Sequence, residues 1–396
     1  MKKTIVPLLL CGALLLSGCR KTAATADNAA TPAANAEPVT VIDTAALFSE
    51  RDLDGSYDES AAVPIQLTEE TAACTSDAVS IDGARITLLD EGTYLVSGSL
   101  TDGQIVVDAD DTDKVQIVLV GADITCADSA AIYSKNADKV FLTLAEGTEN
   151  TLTNGGGYIA IDENNIDAVV FSKTDLTLNG SGSLTIDAQV GHGVVSKDEL
   201  TVTGGSYTVT AAEHGMTGKD SLAVAGGRFT ITSGKDGLHA ENTDDSALGF
   251  LYVADGEFTI IAQGDAVSAS GALQTDGGTF DLTTGEGSAS VTMPAEDSFA
   301  PGGRGSGPDG RPEAPPRGER PAEHGEPSEL PNTGGDQQST ERETPPPAES
   351  GGTAETAEDT VSQKGLKADG ALAVNGGTFA IDSVDDCLHS SGGGCP

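Results

Sequence analysis

A repeat of about 22 residues, ending each time in a turn with an acidic residue, limits this chain more than any other feature. One copy starts at Gly193 (GVVSKDELTVTGGSYTVTAAEH) and the next at Gly215 (GMTGKDSLAVAGGRFTITSGKD). Others start at Gly237, Ala266 and Gly365. Apolar residues recur at three paired offsets: Val194, Met216, Leu238, Val267 and Leu366 in the first; Leu200, Leu222, Leu273 and Leu372 in the second; Tyr207, Phe229, Phe280 and Phe379 in the third. Each pair is a short period-2 strand, so each copy holds three strands. Stacked copies predict an all-β solenoid, a parallel β-helix with three sheets and coils of about 22 residues. The aromatic offset becomes an internal ladder. The Gly-Gly pairs at 204–205, 226–227, 277–278 and 376–377 mark tight corners before the third strand. No helix follows them, so they are not a phosphate loop.

The repeat also divides the chain. Residues 1–18 read as an export signal: Lys2 and Lys3, then an apolar run too short to span a bilayer. The run ends in Leu16-Ser17-Gly18-Cys19, which resembles a bacterial lipobox, and this implies lipidation at Cys19 and a place on the outer face of the cell membrane. Residues 19–46 read as a flexible tether, 47–293 as β-helix, and 294–360, rich in Pro, Gly and Glu, as a disordered insertion. Residues 361–396 return to the repeat and stop shortly into a new coil, as a truncated solenoid would. Cys74, Cys126, Cys387 and Cys395 lack metal-ligand spacing; they read as buried small residues, with a Cys74–Cys126 bridge as the alternative. The segment Arg51 to Asp58 is turn-like and acidic but lacks the later ligand of a calcium loop.

A net charge of −41 argues against nucleic acid as a partner and favours cations, Ca²⁺ above all outside a cell. The position before each coil start carries the chemistry: Asp167, His192, His214, Asp236, Asp265 and Asp386, with Glu213 and Asp385 one residue earlier. Carboxylates on neighbouring coils, such as Asp236 and Asp265, would stand roughly 5 to 7 Å apart and repel by roughly 2 to 3 kcal/mol. Either the turns are fully solvated, or a cation sits between them. The calcium reading takes Asp167, Glu213, Asp236, Asp265, Asp385 and Asp386 as ligands. His239 and His389 recur two residues into their coils, facing outward, where each holds a sugar hydroxyl, orients a carboxylate or is a plain surface residue. Lys219 and Lys235 lie near the same corner.

The run Lys235-Asp236-Gly237-Leu238-His239-Ala240, its partner Asp385-Asp386-Cys387-Leu388-His389, the Gly-Gly-x-Phe corners and the stretch Gly92-Thr93-Tyr94-Leu95-Val96-Ser97-Gly98 resemble the bacterial cell-surface "carbohydrate-binding domain-containing" β-helix family. The resemblance covers roughly residues 47–293 and 361–390. It implies a right-handed helix similar in architecture to pectate lyases, bound Ca²⁺, and binding of acidic, polygalacturonate-like polysaccharide without established catalysis. His192 and His214 depart from the family's acidic pattern.

Three functions follow: a calcium-dependent, non-catalytic binder of acidic polysaccharide, a lyase or hydrolase on the same fold, and a structural adhesin, each as a monomer. A uronate lyase needs Arg or Lys as base, and Arg85 and Arg228 are the only arginines between 60 and 293. Lys173, Lys197, Lys219, Lys235 and Lys367 lie nearer the outward turn. Without Trp, a stacking platform for neutral sugars is poorly supplied.

Overall fold

Short runs of alternating apolar and polar residues, broken by Gly corners, favour short strands that bury every second side chain. The computed structural model describes residues 39–158, 164–290 and 362–392. In one repeat the strands are His192–Ser196, Glu199–Val202 and Ser206–Ala211. Each pairs with the strand three places on, and these pairings are parallel. Val194 faces Met216 and Met216 faces Leu238, so equivalent positions of successive repeats align. The 18-stranded and 11-stranded sheets are mainly parallel, and the all-β architecture is consistent with the β-helix that the repeat predicts. Two antiparallel hairpins, Val63–Glu69 with Thr71–Ala73 and Val79–Asp82 with Arg85–Leu88, stand at the N-terminal end.

Among the described residues the hydrogen-bonded sheets number two where the repeat predicts three. The larger contains two faces, one built of strands like Glu199–Val202 and one of strands like Ser206–Ala211. The long strand Lys114–Cys126 joins them: its first half pairs with Lys139–Leu144 and its second with Glu149–Asn154. Gly121, at φ 71, lets it turn the corner without a break.

The insertions leave the stacking intact. Leu238 pairs with Val267 across the longer third repeat, and Val267 pairs with Leu366 across the long Pro/Gly/Glu-rich segment. Inside, Tyr207, Phe229, Phe258, Phe280 and Phe379 form a continuous stack, with centroids 5.4, 4.8, 4.6 and 4.5 Å apart. The second glycine of each corner pair has positive φ, as at Gly227 (128°) and Gly278 (102°). A Cβ on Gly278 would also meet the Phe280 ring at 2.9 Å.

Residues 41–56 run back across successive coils on the Glu199–Val202 face. Gln274 accepts the Val41 and Ile42 N–H groups, and Phe48 packs on Tyr252 at 6.1 Å. Ser49 then caps one helical turn, Glu50–Leu53. Asp52, 2% exposed, accepts from Thr177 Oγ1 at 2.6 Å and pairs with Lys139 at 2.8 Å. Arg51 donates to Gln116 at 2.9 Å. Packing therefore begins before residue 47, within the predicted tether, and the acidic turn at Arg51–Asp58 serves as a clasp. Cys74 and Cys126 are free thiols, so the alternative bridge is absent. The export signal, Cys19, most of the tether, the insertion at 294–360 and Cys395 lie outside the described residues.

Candidate functional site

The 11-stranded sheet turns one row of side chains outward. In register along it stand Phe171, Val195, Thr217, His239, Ser268, Lys367 and His389. Beside this row, at the corner entering each strand, runs the column that the sequence marks as acidic. Its occupants in the structure are Ala168, His192, His214, Asp236, Asp265, Lys364 and Asp386. Two of these differ from expectation. Ala168 aligns with His192, so Asp167 falls one residue off the column. Lys364 stands between Asp265 and Asp386, so an ammonium interrupts the carboxylates; the pairing of Leu366 with both Val267 and Leu388 sets this order.

Four consecutive side chains of the column, from His192 to Asp265, each accept the backbone N–H of the same position one coil on. His192 Nδ1 accepts from His214 N at 3.1 Å, and His214 Nδ1 accepts from Asp236 N at 3.1 Å. Asp236 Oδ1 accepts from Asp265 N at 2.7 Å, and Asp265 Oδ1 from Lys364 N at 2.7 Å. The column is thus an axial ladder, and its requirement is an acceptor, which Asp and neutral His both supply.

The three imidazoles stack. His192 and His214 are 5.1 Å apart at 8°, and His214 and His239 are 4.1 Å apart at 15°. Burial pushes His192 below the ordinary imidazole range. Burial, with the charge of His239 next, brings His214 down to about 3. His239 goes the other way: burial disfavours its charge, but Asp236 at 2.8 Å and Glu241 at 3.3 Å outweigh it and raise its pKa. Burial likewise opposes ionisation of Asp236, yet His239 and His214 hold it below the usual carboxylate range.

These rings line an open groove of about 370 Å³ with Thr217, Lys197, Lys219 and Lys235. Lys235 donates to Glu213 at 2.9 Å and Lys219 to Asp244 at 2.8 Å. Lys197 lies over the Phe171 ring at 5.3 Å and has no carboxylate partner among the described residues. The structure therefore gathers His239, Lys219 and Lys235, as the sequence anticipates. It adds His192, His214, Lys197 and Thr217. The signal for the two histidines was their place in the column. His389 stands three coils beyond His239, outside the groove, where it repeats the Asp–His pair with Asp386 at 3.1 Å.

The carboxylates of the column do not fit a calcium cage. Ca²⁺ takes 6–8 oxygens, and here each of these carboxylates already accepts a protein donor, although Asp167 Oδ1 is buried without one. Asp236 serves Asp265 N and His239; Asp265, 2% exposed, serves Ser362 and Lys364 N. Glu213 takes Lys235 and His192, Asp385 takes Lys364, and Asp167 takes Asn165. His214, Asp236 and His239 bring one ligand atom each within 4.8 Å of the others. That nitrogen-rich set suits a transition metal better than Ca²⁺. Even so, His214 Nδ1 is engaged by Asp236 N, and His239 Nδ1 meets Asp236 Oδ2.

Residues 82–394 match the family model described as carbohydrate-binding domain-containing protein. A carbohydrate-binding domain-containing protein of Acetivibrio thermocellus is 37% identical over 137 residues, 34% of this chain and 48% of that protein. The chain thus spans about half the length of the curated relative it matches. Among solved structures, that of the polysaccharide lyase-like protein from C. thermocellum, a gadolinium derivative, is similar at a TM-score of 0.55 and 32% identity. The similarity covers 57% of this chain and 92% of that one.

Proposed function

Because this chain belongs to the family of carbohydrate-binding domain-containing proteins, we propose that it holds an acidic polysaccharide, such as polygalacturonate, in the groove on the 11-stranded sheet and does not cleave it. One observation carries this reading: on a chain of net charge −41, three lysines, Lys197, Lys219 and Lys235, gather at a single groove that Glu213 and Glu241 also line, and Lys197 has no carboxylate partner among the described residues. The acidic bulk disfavours a polyanion, so a groove with three lysines is the favoured landing place. Lys197 and Lys219 occupy equivalent positions on adjacent coils, about 4.8 Å apart along the axis, a spacing that suits successive sugar units of a glycan lying across the strands. The lysines supply positive charge without a calcium bridge. The solenoid is taken to wind right-handed, the sense of nearly all parallel crossovers. Cys19 carries the lipid that keeps the protein on the outer face of the membrane.

The test is titration of the soluble domain with polygalacturonate and with a neutral glucan, in calcium and in chelator, while ultraviolet absorbance follows unsaturated uronate. Binding to the acidic polymer alone, weakened in high salt and roughly five- to tenfold by Lys197→Ala with Lys219→Ala, supports the reading. Equal binding to the neutral glucan overturns it. Loss in chelator would restore calcium as the bridge. Product release would favour a lyase, the alternative raised by the polysaccharide lyase-like neighbour.

A further inference from the structure

The axial ladder explains why an acceptor is needed at each corner, but not why two of the corners carry histidine. Aspartate does the same work one coil later, with a shorter bond: Asp236 Oδ1 accepts from Asp265 N at 2.7 Å. The two ladder histidines, His192 and His214, both line the groove. What histidine adds there is a second nitrogen. When Nδ1 accepts a backbone N–H, the neutral ring must carry its proton on Nε2. The ladder therefore fixes the tautomer as well as the position.

At His192 that second nitrogen is spent within the protein, since Nε2 meets Glu213 at 3.1 Å. At His214 it has no partner among the described residues. Three residues on, Thr217 presents a buried hydroxyl that likewise lacks a hydrogen-bond partner. Thr217 pairs in register with His239, so it sits in the outward row directly beside the stacked rings. A buried hydroxyl without a partner is destabilising by roughly 1–3 kcal/mol, and Thr217 Oγ1 beside the open Nε2 donor of His214 marks where a ligand supplies the missing bonds.

We propose that His214 and Thr217 are the specificity-determining pair of the glycan site: His214 Nε2–H donates to a carboxylate or hydroxyl oxygen of the sugar, and Thr217 Oγ1 completes the contact. This rests on the groove being the polysaccharide site. The lysines then attract the polymer, while His214 and Thr217 select the sugar face that can place an oxygen between them. His214 is stiff in this role, held by its backbone bond on one edge and stacked on both sides.

Asparagine and glutamine separate the two nitrogens of the ring. His214→Asn keeps an acceptor near Nδ1 for Asp236 N and removes the Nε2 donor; His214→Gln keeps a donor near Nε2 and removes the cap. With a polygalacturonate oligomer as the calorimetric probe, H214N is expected to melt as wild type and bind roughly tenfold more weakly. H214Q is expected to melt earlier and to keep most of its affinity. Thr217→Val, close in shape, is expected to weaken binding several-fold without loss of stability, and it tests the pair should a His214 variant fail to fold. Wild-type affinity in H214N or in T217V overturns the proposal. If wild type binds but Lys197→Ala with Lys219→Ala does not weaken it, the groove assignment fails first, and this pairing with it.

Discussion

The carboxylate of Asp236 accepts the backbone N–H of Asp265, one coil on, at 2.7 Å. A residue that reads in sequence as a metal ligand thus holds two coils together, and its other oxygen orients His239 at 2.8 Å.

Removing that acceptor should therefore destabilise the fold. Asp236→Ala leaves the Asp265 N–H unpaired and frees His239, at a cost of about 1–3 kcal/mol in urea unfolding. Asp236→Asn keeps an acceptor and should lose less. In both, the His239 pKa followed by NMR should fall, because Asp236 is the larger of the two carboxylate influences that raise it, Glu241 being the other. An unchanged His239 titration would show that Asp236 does not govern it.

The neutral histidines give a definite pH response. The folded pKa of His214 is about 3, against an ordinary value of 6.5, so between these the unfolded chain binds a proton that the folded chain refuses. The contribution is fully present above about pH 6.5 and is lost as pH falls toward 3. His214→Asn should flatten the decline of melting temperature between pH 6.5 and 5. Asp198 acts in the opposite sense. Burial, then the charges of Asp175 and Asp220, lift it to about 6, so its contribution is present below about pH 4 and lost as pH rises through 6. Asp198→Asn should raise the melting temperature at pH 7 relative to pH 4.

The aromatic stack is continuous, so its centre is the place to break it. Phe258 stands between Phe229 and Phe280 at 4.8 and 4.6 Å and is 2% exposed. Phe258→Ala should cost about 3–5 kcal/mol, and Phe258→Leu less than half of that. Equal urea midpoints for the two variants would show that ring volume at this position is not limiting.

The N-terminal clasp depends on one buried ion pair. Asp52→Ala leaves Lys139, whose side chain is 13% exposed, without its carboxylate. Breaking such a pair costs about 3–5 kcal/mol. Limited proteolysis should then cut within residues 40–57 well before the coils are degraded, whereas wild type resists there.

Much of this molecule is legible in the repeat. Period-2 alternation assigns the strands, and recurrence at a fixed offset assigns Tyr207, Phe229, Phe280 and Phe379 to one internal stack, because stacking equal units places like on like. The corners are legible too, since positive φ favours glycine. The outward corner column was visible as a series of acids and histidines, and the resemblance to a carbohydrate-binding family pointed to the same corner.

The sequence could not say what those polar side chains do. An aspartate reads the same whether it binds an ion, faces water or caps the next coil. Only the stacked register shows that Asp236 and Asp265 point along the axis into backbone N–H groups, that Lys364 interrupts the carboxylates, and that Asp167 is one residue off the column. The same holds for residues 41–56, whose composition reads as linker and turn but whose Gln274, Thr177 and Lys139 partners are far off in the chain. Local pattern determines which residues form strands and which side faces inward, because those depend on neighbours along the chain. Tertiary structure decides which donor meets each outward acceptor, because that depends on the neighbour one coil away, and it is there that Asp236 and Asp265 become caps for the next coil.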